Sequence, residues 1–144
     1  ILPIPLAIAQ AAIETGWGTS RFALDGNSLF GQWTWKKGGL TPSRREVGKE
    51  HLVKTFKNLR HSVENYAQNL NSSAFYKRFR KARLKLIKNN RYVNNASSRL
   101  ATYLSSYSQE GEKYVEKILK IISINKLADF ELLSNELRDV SLGN

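Results

Sequence analysis

The 144-residue chain has no cysteine, so disulfides, thiolate metal sites and cysteine nucleophiles are excluded together. It has only two histidines, His51 and His61, fewer than the three protein ligands a catalytic zinc normally takes, and no metal or other cofactor is expected. Methionine is absent too, and the chain opens on Ile1. A processed or trimmed form is therefore expected, with any signal sequence lying outside it. No apolar run approaches the roughly 20 residues that a membrane-spanning helix needs. A Gly-x-Ser-x-Gly elbow and a Gly-x-x-x-x-Gly-Lys phosphate loop are both missing, which leaves an esterase-type triad and a nucleotide site without support. Acidic residues are scarce: 12 Asp and Glu stand against 23 Lys and Arg, a formal charge of +11. That balance predicts an anionic partner without naming one.

What is present suits a packed core. Hydrophobic residues make up 41 % of the chain and aromatics 10 %, well above what a basic disordered tail carries, and the length suits one domain over residues 1–144. A monomer is expected. The charge is uneven: residues 1–35 balance at −1, residues 36–99 hold 17 basic and 3 acidic groups for +14, and residues 100–144 balance at −2.

Leu2 to Thr15, with Pro3 and Pro5 near its start and Gly16 after its end, reads as a buried helix. Only Gln10 and Glu14 interrupt its apolar character, and they lie four apart on one side. From Gly16 to Asn58 the helical period disappears. His51 to Phe56 suggests a short strand, paired with the segment around Trp33 and Trp35 across the Lys37-Gly38-Gly39 turn. Helical signals then resume. Ser62 is the expected N-cap of a helix with Val63, Tyr66 and Leu70 on one face, and Ser72 or Ser73 opens another with Phe75, Phe79, Ala82 and Leu86. Asn94 or Asn95 precedes a helix holding Leu100, Tyr103 and Leu104. Tyr114, Ile118 and Ile122 mark the next, and Leu127, Phe130, Leu133 and Leu137 a last one. The expected class is mainly α (α+β), with a small β lobe over about residues 26–58.

Glu14 is the residue that needs explaining, because an ionised carboxylate on an apolar helix is costly unless it is paired or used. It occupies the last helical turn in Ile13-Glu14-Thr15-Gly16-Trp17-Gly18. The negative end of the helix dipole and nearby aromatic surface both disfavour the charged form, which suits a general acid for glycosidic cleavage. A plain ion pair with Arg21, or capping of backbone groups, would account for the same residue without catalysis.

The flanking residues speak for catalysis. Ala9-Gln10-Ala11-Ala12-Ile13-Glu14-Thr15-Gly16-Trp17-Gly18-Thr19-Ser20, followed by Asn27-Ser28-Leu29-Phe30-Gly31, closely resembles the start of the bacterial glucosaminidase family of peptidoglycan hydrolases, glycoside hydrolase family 73, and its Bax-like branch in particular. Phe56 to Leu70 is similar to the family's strand end and Ser/Tyr helix, and Tyr107 to Ile118 to its later tyrosine segment. The resemblance covers roughly residues 2–122. It implies a lysozyme-like helical lobe, a small β-hairpin lobe and a cleft between them. It also implies endo-β-N-acetylglucosaminidase activity on β-1,4 bonds of peptidoglycan, in the periplasm, the cell envelope or outside the cell.

Matched residue by residue, Glu14 is the catalytic acid and Tyr107 the tyrosine lining the cleft near it, while Tyr114 suits packing. Trp17, Asn27, Phe30 and Gly31 match the motif that shapes the cleft, and Gln10 and Trp33 join them as substrate-binding candidates. Core packing is the competing role for Trp17 and Phe30. For a second carboxylate the sequence offers Arg44 where some relatives place Glu, with Glu46 and Glu50 close by. Glu46 is the candidate. If neither glutamate serves, the acid works alone with help from the substrate's acetamido group. A lytic transglycosylase on the same polymer would use the same single Glu. A third reading rests on Lys77 to Lys88, a basic amphipathic run that suits a nucleic-acid or anionic-surface module, or simply a solvated helix face over a core. No nucleic-acid-reading motif accompanies it.

Overall fold

The computed structural model describes residues 2–42, 47–89 and 95–131. Six α-helices lie among them: α1 Ile4–Thr15, α2 Arg21–Gly26, α3 Leu59–Ser72, α4 Lys77–Lys88, α5 Ala96–Ala101 and α6 Glu112–Ile124. Short 3-10 turns occupy Ala74–Tyr76, Ser105–Tyr107 and Leu127–Asp129. The antiparallel sheet pairs β1 (Trp33–Thr34) with β2 (Leu52–Val53), Trp33 facing Val53 and Thr34 facing Leu52. The class is mainly α with a small β element, as the periodicity predicts. No helix among the described residues is long and apolar enough to cross a membrane. Contacts group the chain into two compact units, residues 11–69 and residues 1–10 with 70–144.

In the 11–69 unit β1 pairs with β2 as expected, but residues 35–51 link the two strands, and the Lys37-Gly38-Gly39 turn, where glycine fits best, leads only as far as Leu40. A Cβ on Gly39 would fall 2.6 Å from Leu52 Cβ and 2.8 Å from Val53 O, and Gly38 has φ +97°. Leu40 then exchanges two 2.8 Å backbone bonds with Val53. Strand β2 is shorter than the expected His51–Phe56, since Phe56 N–H leaves the ladder for Gly26 O at 2.8 Å. The cap of α3 also differs from expectation. The helix begins at Leu59, and Asn58 Oδ1 accepts His61 N–H at 3.0 Å, which is the N-cap role. Ser62 sits inside the first turn, fully buried, and its hydroxyl accepts the Leu29 N–H at 3.1 Å.

In the other unit, the start of α1 is enclosed, with Pro3, Pro5 and Leu6 buried and Pro3 O closing the first turn by accepting Ala7 N–H. Helix α4 packs on α5 and α5 on α6, around Leu70, Phe79, Leu100, Leu104 and Ile118. The α3–α4 corner is held by Arg80, whose guanidinium donates to Leu70 O at 3.1 Å and Ser73 O at 2.6 Å. A cation there answers the unpartnered carbonyls and the negative end of α3. Ser73 opens the next turn by accepting Phe75 N–H. Tyr103 and Leu104, expected within a helix, lie beyond the end of α5 at Ala101. Leu127–Asp129 is a 3-10 turn, and helical backbone begins at Phe130 and Glu131, the last described residues. Asn94, Leu133 and Leu137 lie outside the described residues.

Asn95 precedes α5 in a left-handed conformation, φ +57°, and its side chain makes no capping bond. The cap comes from far along the chain: Glu131, itself buried, accepts Ala96 N–H at 2.9 Å and Ser97 N–H at 2.6 Å. Glu131→Ala would leave two buried donors without that acceptor, at about 1–3 kcal/mol each if nothing replaces it. Urea unfolding should show a loss of about 2–4 kcal/mol, with Glu131→Gln, which keeps one acceptor oxygen, falling in between. Equal stability of Glu131→Ala and the unaltered protein would remove the cap from this account.

Candidate active site

Glu14 stands in the last turn of α1, and the residues after it end the helix. Gly16, Trp17 and Gly18 have φ of +55°, +61° and +81°. Trp17 N–H reaches back to Ala12 O at 3.0 Å, the long bond of a Schellman closure with Gly16 in the left-handed position. Thr15 is buried at the junction, donating its hydroxyl to Ala11 O at 2.6 Å and accepting Gly18 N–H at 2.8 Å. The Glu14 side chain is thus carried on a terminus whose backbone is fixed on both sides. Trp17 adopts a conformation uncommon for a bulky residue and is 59 % exposed, so core filling is not its role.

The loop after α2 meets Glu14. A Cβ built on Gly31 would lie 2.5 Å from Glu14 Oε2 and 3.4 Å from its Cδ, so the carboxylate rests on bare backbone. Three attachments deliver Gly31 to that place. Asn27, left-handed at φ 50°, ends α2 and donates its side-chain amide to Phe56 O at 3.0 Å. Leu29 N–H is held by Ser62. Phe30 is buried and stacks on Tyr66 of α3, ring centroids 3.9 Å apart at 9°. Asn27 and Phe30, expected to touch substrate, have their amide and ring engaged within the protein and act as supports of the loop.

Trp33 is half-exposed on β1 and stacks on His51, centroids 3.9 Å apart, which gives that histidine a packing partner. Glu50 is exposed in the segment before β2. Glu46 and Arg44 lie outside the described residues.

The residues 1–10 with 70–144 unit holds the remaining candidates. Gln10 is fully enclosed and its amide donates to the Tyr114 hydroxyl at 3.0 Å, so it presents no surface to a ligand. Tyr114 is buried, as its packing role requires, and stacks on Tyr107 with centroids 5.6 Å apart at 4°. Tyr76 flanks Tyr107 at 6.1 Å. Gln10 therefore fixes a tyrosine row in which Tyr107 is the partly exposed member. Sequence reasoning missed Ser62, Tyr66 and Tyr76 as supports; the four-residue spacing of Ser62 and Tyr66 on one helix face was the available signal.

A carboxylate on a helix terminus, seated on bare backbone three residues before an exposed indole, is equipped to give or take a proton at a bound ligand's oxygen. The sequence agrees with that class. It matches the Glucosaminidase family, described as mannosyl-glycoprotein endo-beta-N-acetylglucosaminidase, over residues 1–127. The chain belongs to the glucosaminidase family. It is also similar to Protein bax of Escherichia coli (strain K12), 35 % identical over 114 residues, which covers 79 % of this chain and 39 % of that protein. The chain thus spans about two fifths of the length of that curated relative. No solved structure matches it.

Proposed function

We propose that the protein is an endo-β-N-acetylglucosaminidase that hydrolyses β-1,4 bonds in bacterial peptidoglycan, with Glu14 as general acid. The observation that carries this reading is the Glu14 carboxylate seated against Gly31, within the residues matched to the family. Protonated Glu14 gives its proton to the glycosidic oxygen as the bond from the anomeric carbon breaks, and the positive charge passes to the sugar ring. Water supplies the new hydroxyl, and its proton returns to a carboxylate. Glu46 is the assigned water-side group, with Glu50 or the substrate's acetamido oxygen in its place if Glu46 does not reach the sugar. Trp17 and Trp33 offer exposed indole faces to sugar rings, and Tyr107 serves as the cleft tyrosine it matches. Work on such a polymer places the protein outside the cytoplasm.

Mass spectrometry of fragments released from purified sacculi tests the reaction. Reducing N-acetylglucosamine ends are expected. Ends of 1,6-anhydromuramic acid would replace this reading with a lytic transglycosylase, and the release of no glycan fragment would overturn both.

A further inference from the structure

Helix α4 carries seven Lys and Arg in twelve residues and no acidic residue. Two of the seven are engaged: Arg80 on the carbonyls of Leu70 and Ser73, and Arg83 on Asn71 Oδ1 at 2.7 Å and over the Phe79 ring. The other five, Lys77, Arg78, Lys81, Lys85 and Lys88, are exposed and have no hydrogen-bond or ion-pair partner among the described residues. At about 100° per residue they fall within an arc of roughly 100°, opposite buried Phe79, and span about 16 Å of helix rise. Like charges four residues apart oppose the helix, so the stripe works against α4 unless an anion neutralises it.

The stripe ends at a hollow of about 400 Å³ lined by Lys85, Leu86, Asn89, Arg99, Thr102 and Tyr103. Among the described residues two cations and no carboxylate line it, with hydrogen-bonding groups and an aromatic ring beside them, in a volume suited to a small ligand group.

We propose that the outer face of α4 and this hollow form a holding site for a carboxylate-bearing glycan polymer, the stripe running along the chain and the hollow taking one anionic substituent. None of its residues is among those assigned to bond cleavage. The choice of peptidoglycan as that polymer rests on the proposed activity. A lipid surface fits less well, because α4 spends its apolar face on the core and leaves only Leu84, with Phe75 in the preceding turn, as isolated exposed apolar side chains. Nucleic acid fits less well because, among the described residues, no aromatic ring interleaves with the five cations along the stripe.

Co-sedimentation with purified, insoluble peptidoglycan sacculi tests the site, using the whole chain with Glu14→Gln so that the polymer is not consumed. Lys81→Gln with Lys85→Gln and Lys88→Gln should raise Kd about tenfold, and Arg99→Gln about threefold, the range of a few exposed ion pairs. Lys113→Gln with Lys120→Gln and Lys126→Gln removes the same charge elsewhere and should change Kd by less than about twofold. The gap between the two triple variants should close as salt is raised. Equal binding by the two triple variants overturns the site. Tighter α4-dependent binding to anionic phospholipid vesicles or to DNA than to sacculi overturns the assigned partner. With Glu14 intact, the α4 variant should cleave a short uncharged chitooligosaccharide at the unaltered rate. A chain that holds sacculi through α4 and yet cleaves no glycan supports the holding site and overturns the catalytic reading alone.

Discussion

Glu14→Gln is expected to abolish clearing of a sacculus suspension, a fall in rate of about a thousandfold, while the thermal transition stays in place. The substitution keeps the side chain's length, volume and one acceptor oxygen, so α1, the Schellman closure at Gly16 and the contact with Gly31 have no steric reason to change. What it removes is the one proton the reaction needs. A carboxamide N–H is not acidic enough to protonate a departing sugar oxygen, so the alkoxide would have to leave unassisted. Binding should survive, because no aromatic face and no cation is altered. Turbidity measurements on sacculi, paired with a melting curve, separate loss of chemistry from loss of fold. Activity within about tenfold of the unaltered enzyme would fall below any general-acid contribution and would remove Glu14 from the reaction.

Glu14 was legible because its surroundings are local. An acid on an apolar helix, followed at once by glycine, states both its position and its cost within five residues. Helix α6 was legible for a similar reason: Tyr114, Ile118 and Ile122 repeat at helical spacing and all three are buried. Depth was harder to read than side. Gln10 shares a face of α1 with Glu14, but periodicity does not tell how far the face is covered, and Gln10 is sealed onto Tyr114. The supports of the site were illegible because they are remote. Ser62 reads as a cap until Leu29, 33 residues earlier, claims its hydroxyl. Glu131 lies 35 residues from the Ala96 N–H it receives, and no local pattern announces such a cap.

Gly31→Ala should cost about a hundredfold in activity, less than Glu14→Gln, through placement rather than chemistry. Position 31 has φ +59°, where an alanine pays about 1–2 kcal/mol of backbone strain, so the melting temperature should fall by about 3–8 °C. The added methyl would also sit 2.5 Å from Glu14 Oε2, and one of the two must move. The loop has little freedom to give way, since Asn27, Leu29 and Phe30 are tied to Phe56, Ser62 and Tyr66. With the loop held, the collision is expected to displace the carboxylate, and a displacement of about 1 Å at a reacting group costs on the order of a hundredfold in rate. Gly38→Ala supplies the control: it has φ +97° and no atom within 4 Å of its added Cβ, so it brings backbone strain without the collision. Gly38→Ala should therefore lower the melting temperature comparably and keep most of the activity. If the two variants lose the same small share of activity, the effect is strain alone, and Gly31 does not seat the acid.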